Sequence, residues 1–180
     1  MGRIAVHEFM ALDGMIDAPT WSFEYPFDPR MGEAIGGLMG DCEGILLGRR
    51  TYVEFAGAWA GRSAADDPGA PFINGTPKFV VSGSLPSADW GPSTILGAYS
   101  APAIRSLKER TNGSLYVSGS ATLVRAMLAD GLVDELHLFV YPLALGAETR
   151  LFDGVPAKLE LAACESYASG VVHLDYRPGS

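Results

Sequence analysis

Cysteine and basic residues are scarce in this sequence of 180 residues. Its two cysteines, Cys42 and Cys164, are too few for a disulfide framework and lack the paired spacing of a zinc site, so we expect reduced thiols in a cytoplasmic protein. The 13 basic residues are outnumbered by 21 acidic ones, which gives a net charge of −8. This balance excludes a general electrostatic footprint for nucleic acid, so an anionic ligand needs a local site.

Long apolar runs are absent as well. No stretch approaches the roughly 18 uninterrupted apolar residues of a membrane span, and the N-terminal residues reach His7 and Glu8 before the apolar segment of a signal peptide develops. We therefore expect no membrane partner. What is present is an ordinary globular composition, with 48% hydrophobic residues, 22 Gly and 12 Pro. The expectation is one domain over residues 1–180 with many tight turns.

Short apolar runs alternate with helical patterns along most of the chain. The runs predict buried strands at residues 4–9, 44–48, 79–81, 94–96, 115–117 and 136–141. Asp28 and Pro29 fit the N-cap and first position of a helix, and further helices are predicted from Arg49, over 101–110 and over 123–128. Residues 57–77 lose periodicity and predict a long surface loop carrying Trp59.

The C-terminal segments alternate apolar and polar residues instead, which predicts an antiparallel hairpin from residues 158–163 and 172–177. Strands that alternate with helices before a closing hairpin are typical of the α/β class. The sequence thus predicts a mostly parallel mixed sheet with an antiparallel edge and helices on both faces, a three-layer α/β/α arrangement. In such sheets ligands bind outside the carboxyl ends of the strands.

Three turns at predicted strand ends are candidate nucleotide sites. Together they contribute these residues: Gly48, Arg49, Arg50 and Thr51; Ser82 and Ser84; Ser118, Gly119, Ser120, Ala121 and Thr122. A helix N-terminus attracts phosphate through unpaired N–H groups and the helix dipole, and glycine lets the backbone approach closely. The two arginines suit a terminal phosphate, since a guanidinium binds it with two hydrogen bonds. Ser82 and Ser84 offer hydroxyls where an adenosine ribose or its 2′-phosphate would lie.

Each turn also has a plain structural interpretation. Gly119 fits a simple tight turn, Arg49 and Arg50 fit a solvated helix start, and Ser82 and Ser84 fit turn residues. Their joint placement at three strand ends favours the functional interpretation. The residues alone thus indicate a nucleotide-binding α/β domain.

Several segments in order resemble the reductase domain of bifunctional riboflavin-biosynthesis enzymes and the small dihydrofolate reductase family proteins. The segments are Leu12-Asp13-Gly14, Leu47-Gly48-Arg49-Arg50-Thr51-Tyr52, Lys78-Phe79-Val80-Val81-Ser82, Leu115-Tyr116-Val117-Ser118-Gly119-Ser120, Gly131-Leu132-Val133-Asp134-Glu135-Leu136 and Pro142-Leu143-Ala144-Leu145-Gly146. The resemblance covers nearly the whole chain. It implies a dihydrofolate reductase-like fold, NADPH bound across the three turns, hydride transfer to a small heterocyclic or carbonyl-containing substrate, and a homodimer.

Two departures from that family pattern stand out. Dihydrofolate reductases place a carboxylate on the first helix, whereas here Asp28 fits an N-cap and Glu33 lies opposite Ile35, so folate is not the expected substrate. The phosphate turn is Gly119-Ser120-Ala121 rather than a run of glycines, and Ala147 stands where a second glycine often follows Gly146.

Candidate catalytic and substrate residues lie near the first strand. Asp13 follows that strand and is the best candidate acid or substrate anchor, with an Asp-Gly turn cap as the equal alternative. Trp21, Phe23 and Tyr25 are candidates to wall a flat substrate, or else they anchor a loop. Trp59 is a candidate lid residue or a loop-packing residue. The three histidines lie on separate predicted strands without ligand spacing, so no metal site is expected.

The leading hypothesis is an NADPH-dependent oxidoreductase. Two others remain open: a nucleotide-binding dimer without catalysis that serves as a sensor or scaffold, and an oxidoreductase that uses a flavin or deazaflavin.

Overall fold

The computed structural model describes residues 1–146 and 149–179, so Ala147 lies outside the described residues. Its eight strands are β1 (Arg3–Ala11), β2 (Cys42–Gly48), β3 (Lys78–Val81), β4 (Ser93–Gly97), β5 (Ser114–Ser118), β6 (Glu135–Tyr141), β7 (Leu159–Ser166) and β8 (Val172–Pro178). Its helices are α1 (Pro29–Met39), α2 (Arg49–Trp59), α3 (Ala70–Gly75), α4 (Ala101–Arg110) and α5 (Ala121–Ala129), with a 3-10 helix over Pro19–Glu24.

The strands form one sheet in the order β4-β3-β2-β5-β1-β6-β8-β7. Neighbouring strands from β4 to β6 are parallel, while β8 pairs antiparallel with both β6 and β7. This confirms the mostly parallel sheet with a C-terminal antiparallel hairpin. Since β5, β1 and β2 are neighbours at the centre, the residues that follow β2 and β5 meet at one edge.

Successive side chains of each strand point to opposite faces of the sheet, and helices cover both faces. On one face Ile4, Val6 and Val117 pack against the apolar residues of α4 and α5. On the other, Tyr52 of α2 packs with Leu47 and Val80, and α1 covers the β6 region. The helices therefore lie on both sides of the sheet, as predicted.

Asp134 of the Gly-Leu-Val-Asp-Glu-Leu segment fixes the start of β1. Its Oδ2 accepts a hydrogen bond from the Ile4 backbone N–H at 2.7 Å and lies 2.5 Å from Nζ of Lys108, whose side chain is largely buried. Breaking such a pair leaves a poorly solvated charge, so the link is sensitive to substitution. The motif therefore holds the central strand in register.

The predicted loop over residues 57–77 is wrong in two places. Helix α2 continues to Trp59, which packs against the core of that face, so Trp59 is not on a loop and the lid role loses its basis. A further short helix, α3, buries Ala70 and Ile73. Asn74 joins the two helices, because its Nδ2 donates to the carbonyl of Trp59 at 2.9 Å. Burial against the sheet compensates for the Pro and Gly that made this stretch resemble a loop.

Candidate functional site

Two of the three predicted turns are joined by direct hydrogen bonds. The Ser120 Oγ accepts from the Gly48 backbone N–H at 2.8 Å and donates to Oγ1 of Thr51 at 2.8 Å. The first hydrogen bond is to the last residue of β2, and the second is to the first turn of α2. The residues after β2 and β5 therefore form a single surface at the carboxyl edge of the sheet.

The turn after β5 has a left-handed backbone at two consecutive residues. Gly119 has φ +67°, and a Cβ there would lie 3.2 Å from Cγ2 of Thr51, so glycine suits both the conformation and the space. Ser120 also has φ 66°, a conformation that L side chains rarely adopt. As the N-cap of α5, Ser120 makes no side-chain hydrogen bond to the first amides of the helix. Ala121 is half-buried and Thr122 is exposed, so the first turn of α5 is accessible.

The two adjacent arginines are in different surroundings. Arg50 is paired with Asp17 at 3.3 Å and with Glu54 at 2.9 Å. Arg49 is exposed, and no carboxylate in the described part of the chain lies within ion-pair distance of it. The sequence did not separate these two residues. The structure leaves the Arg49 guanidinium available for an anion.

The third turn lies next to the other two. Gly48 and Val81 are partners in the β2–β3 register, so Arg49 and Ser82 begin neighbouring turns. The Ser82 Oγ accepts from the backbone N–H groups of Ser84 at 3.2 Å and Leu85 at 2.9 Å, which makes it a turn-stabilising hydroxyl, while Ser84 is exposed. The structure thus brings all three predicted turns to one edge.

Glu8 is a candidate site residue that the sequence did not reveal. It lies on β1 and is 2% exposed. Its Oε2 accepts a hydrogen bond from the Gly119 N–H at 3.1 Å, whereas its Oε1 is buried and has no hydrogen-bond partner among the described residues. Burial raises the pKa of Glu8 to about 8, and the Gly119 hydrogen bond opposes this rise only in part. The available signal was an acidic residue inside a strand predicted to be buried.

Asp13 connects two loops. Its Oδ2 accepts from the backbone N–H groups of Leu145 at 3.0 Å and Gly146 at 2.7 Å. Burial disfavours ionisation, but the hydrogen bonds from the Gly146 and Leu145 amides outweigh it and lower the pKa of Asp13. A carboxylate held in this way is a poor proton donor at neutral pH. The contacts fit the turn-cap alternative, and the catalytic role stays a prediction.

The predicted aromatic wall is divided. The rings of Trp21 and Tyr25 lie edge-on to Tyr141, with centroids 5.2 and 5.4 Å away. The Trp21 Nε1 is buried and has no hydrogen-bond partner within residues 1–146 and 149–179. Phe23 is 85% exposed and belongs to no core cluster of the described chain. The structure therefore brings Trp21 and Tyr25 together and places Phe23 in solvent.

The histidines lie on β1, β6 and β8, which are neighbouring strands rather than distant ones. His7 and His137 are register partners, and the His137 Nδ1 lies 3.1 Å from the His173 Nε2. The His7 Nδ1 lies 2.6 Å from the Tyr116 hydroxyl, and burial lowers the pKa of His7 to about 3. Among the described residues, no group of three His, Cys, Asp or Glu side chains is arranged to hold a metal ion.

The sequence is similar to those of known proteins. The family model for the RibD C-terminal domain matches residues 3–173. YyaP of Bacillus subtilis, an uncharacterised protein, is 24% identical over 182 residues, which cover 97% of this chain and 94% of YyaP. In the part of the chain that is described, no helix is long and apolar enough to cross a membrane.

Solved structures share the fold. A putative riboflavin biosynthesis protein from Shewanella sp. PV-4 has a TM-score of 0.79 at 19% identity, with 99% of both chains covered. A pyrimidine reductase-like protein from Corynebacterium diphtheriae has a TM-score of 0.66 at 15% identity, covering 99% of this chain and 92% of the other. A diaminohydroxyphosphoribosylaminopyrimidine deaminase/5-amino-6-(5-phosphoribosylamino)uracil reductase from Thermotoga maritima has a TM-score of 0.69 at 16% identity, covering 99% of this chain and 57% of the other.

These likenesses confirm the three-layer α/β/α dihydrofolate reductase-like fold. Because the family model covers nearly the whole chain, the chain belongs to the RibD C-terminal domain family, the reductase domain of riboflavin-biosynthesis enzymes.

Proposed function

We propose that this protein is an NADPH-dependent reductase that transfers hydride to a small heterocyclic or carbonyl-containing substrate. The observation that supports it most is the joining of the Gly48 and Ser118–Ala121 turns through Ser120 and Thr51 at the carboxyl edge of the sheet. Family membership supports the same conclusion. NADPH supplies the hydride when it is bound, and the protein supplies position and shelter from water.

The described residues fit a phosphorylated cofactor. The accessible first turn of α5 offers backbone N–H groups and the positive end of the helix dipole to the pyrophosphate. Arg49, which has no ion-pair partner among the described residues, offers its guanidinium to the 2′-phosphate, and exposed Ser84 and Thr122 offer hydroxyls. Gly119 N–H and the Ser120 hydroxyl are already bonded within the protein, so their role is to shape the turn.

A flat substrate ring has a candidate surface at Trp21 and Tyr25, which pack together on Tyr141. Aromatic faces of this kind bind planar heterocycles through stacking and burial. The substrate is thus proposed to lie on the α1 side of β6.

Titration of the purified protein with NADPH, followed by nicotinamide fluorescence, tests the cofactor assignment. We expect a saturable change, followed by NADPH oxidation with at least one member of a panel of pterins, ribosylaminopyrimidines and carbonyl compounds. No saturable change at millimolar NADPH contradicts the proposal. A yellow purified protein would instead indicate a flavin or deazaflavin.

One observation favours a binding protein without catalysis as the second candidate. Asp13, the acid predicted from the sequence, is already bonded to two backbone amides and has a lowered pKa. Saturable NADPH binding without oxidation across the whole panel would support that candidate.

We also propose a homodimer that uses the C-terminal hairpin. Strand β7 is one of the two edge strands of the sheet and is exposed along most of its length, with Leu161 55% exposed. An uncovered apolar edge strand is a ready surface for pairing with a second copy. We also propose a cytoplasmic location, which the free thiols of Cys42 and Cys164 support.

A further inference from the structure

The clearest unexplained feature is an acid buried next to the proposed phosphate turn. Glu8 is 2% exposed, and one of its two carboxyl oxygens is occupied by the Gly119 N–H. The other oxygen is buried and has no hydrogen-bond partner in the part of the chain that the structure describes. No salt bridge to Glu8 is found within residues 1–146 and 149–179. An ionised carboxylate is costly in such a place.

Burial and the Gly119 hydrogen bond set the pKa of Glu8, and among the described residues no charged group compensates an ionised form. On β6 its register partner is Leu138, and Val6 and Met10 flank it on the same face of β1. On β5 the titratable neighbour is Tyr116. Burial raises the pKa of Tyr116, and a negative charge on Glu8 raises it further. On α5 the charged group is Arg125, which is engaged with Asp153 at 3.9 Å.

We propose that Glu8 is a positioning residue of the cofactor site: as a neutral acid it fixes the Gly119 turn, and phosphate binding at that turn requires Glu8 to keep its proton. The inference rests on the proposed function, since it takes the turn to be the pyrophosphate site. The Gly119 N–H that Glu8 occupies is held in the left-handed turn rather than offered to the ligand.

The physical reason is charge. A pyrophosphate at the start of α5 is anionic, and a carboxylate one hydrogen bond away from the same turn would repel it in a poorly solvated environment. Binding therefore favours the protonated acid. The raised pKa of about 8 means that Glu8 is mainly neutral at pH 7 and loses its proton under mildly alkaline conditions.

The decisive experiment measures the dissociation constant of NADPH between pH 7 and pH 9 for the wild type and for Glu8→Gln. Glutamine has the shape of the neutral acid and carries no titrating group, which makes it the matched control. The 2′-phosphate is already largely ionised by pH 7, because its pKa is about 6. We expect wild-type binding to weaken about tenfold over this range while Glu8→Gln changes by less than about twofold. Parallel pH profiles for the two proteins would overturn the proposal.

A second measurement separates this proposal from the proposed function. The ¹³C signal of the Glu8 carboxyl, followed by NMR in the protein without NADPH, reports the proton directly. We expect its midpoint above pH 7, and a midpoint between 4 and 5 would overturn the proposal even if NADPH binds. If neither protein binds NADPH at any pH, the proposed function fails and the linkage to phosphate fails with it. If Glu8→Gln does not fold, the pH dependence of NADPH binding by the wild type and the NMR titration of its Glu8 carboxyl together test the proposal.

Discussion

The hydroxyl of Ser120 donates to Oγ1 of Thr51 over 2.8 Å, although the two residues are 69 positions apart in the chain. The same oxygen accepts the Gly48 N–H. One side chain therefore fixes the relative position of the turns after β2 and β5, and it does so from a left-handed backbone. Its hydrogen bonds offset the conformational cost of φ 66°.

Replacing Ser120 separates these two effects. We expect Ser120→Ala to lower the free energy of unfolding by about 2 kcal/mol, because it removes two hydrogen bonds and keeps the strained backbone. Ser120→Gly loses the same bonds but relieves the strain, so it should be about 1 kcal/mol more stable than the alanine variant. Urea unfolding measures both values. An alanine variant as stable as the wild type would show that the bridge contributes nothing.

The two arginines should differ in cofactor selectivity. Arg49 has no ion-pair partner in the described residues, whereas Arg50 is held by Asp17 and Glu54. We expect Arg49→Ala to weaken NADPH binding about tenfold and to leave NADH binding nearly unchanged, since it removes a charge-assisted contact to the 2′-phosphate. Arg50→Ala is the matched control, with less than about twofold change. Equal effects of both substitutions, or none, would contradict the assignment.

His7 and Glu8, neighbours on β1, should give the stability a maximum in mildly acidic solution. His7 has its pKa lowered to about 3 from 6.5, so its contribution is present above pH 6.5 and is lost as the pH falls towards 3. Glu8 has its pKa raised to about 8 from 4.5, so its contribution is present below pH 4.5 and is lost as the pH rises towards 8. The two slopes oppose each other between pH 4.5 and 6.5.

Difference curves isolate these contributions from other titrating groups. Compared with the wild type, Glu8→Gln should lack the fall in unfolding free energy between pH 4.5 and 8. His7→Asn should lack the rise between pH 3 and 6.5. Chemical unfolding across the pH range provides the curves. If the unfolding free energy of the variants depends on pH as that of the wild type does, the two groups have the same pKa in the folded and unfolded states, which contradicts the account.

Asp13→Asn distinguishes a loop anchor from a proton donor. If the carboxylate serves to hold the Leu145 and Gly146 amides, the asparagine oxygen keeps part of that function, and we expect a lower melting temperature with an unchanged pH profile of kcat/KM. Because the pKa of Asp13 is lowered, its stabilising effect should persist above pH 3.8 and disappear as the pH falls through the lowered value. If the wild type shows a fall in kcat/KM as the pH rises through the pKa of a catalytic acid and the variant does not, Asp13 is that acid.

The exposed strand β7 of the C-terminal hairpin predicts that the protein is a homodimer. We expect light scattering at micromolar concentration to give twice the mass of one chain, and Leu161→Glu to give the mass of one chain, because a charge on β7 opposes pairing of an apolar edge. Glu160→Gln, on the same strand, is the control that should stay dimeric. A monomeric wild type would remove this proposal without affecting the cofactor site.

The fold was predictable because strand and helix periods alternate clearly, and α4 lies over residues 101–110 as predicted. Helix α3 was not, since six residues that include Pro71 and Gly75 are indistinguishable from a loop until Ile73 is seen buried. The edge at which the three turns meet follows from parallel strands. Which donors remain accessible depends on tertiary partners, and no local pattern separates Arg49 from Arg50 or shows that the carboxyl of Glu8 lies against Gly119.

The central claim is that NADPH phosphates bind where the turns after β2 and β5 are joined. Backbone amide NMR of the protein during NADPH titration tests it most directly. We predict that the largest, saturable shifts occur at residues 48–51 and 118–122. Saturable shifts confined to other parts of the chain, or no shifts at millimolar NADPH, would contradict the account.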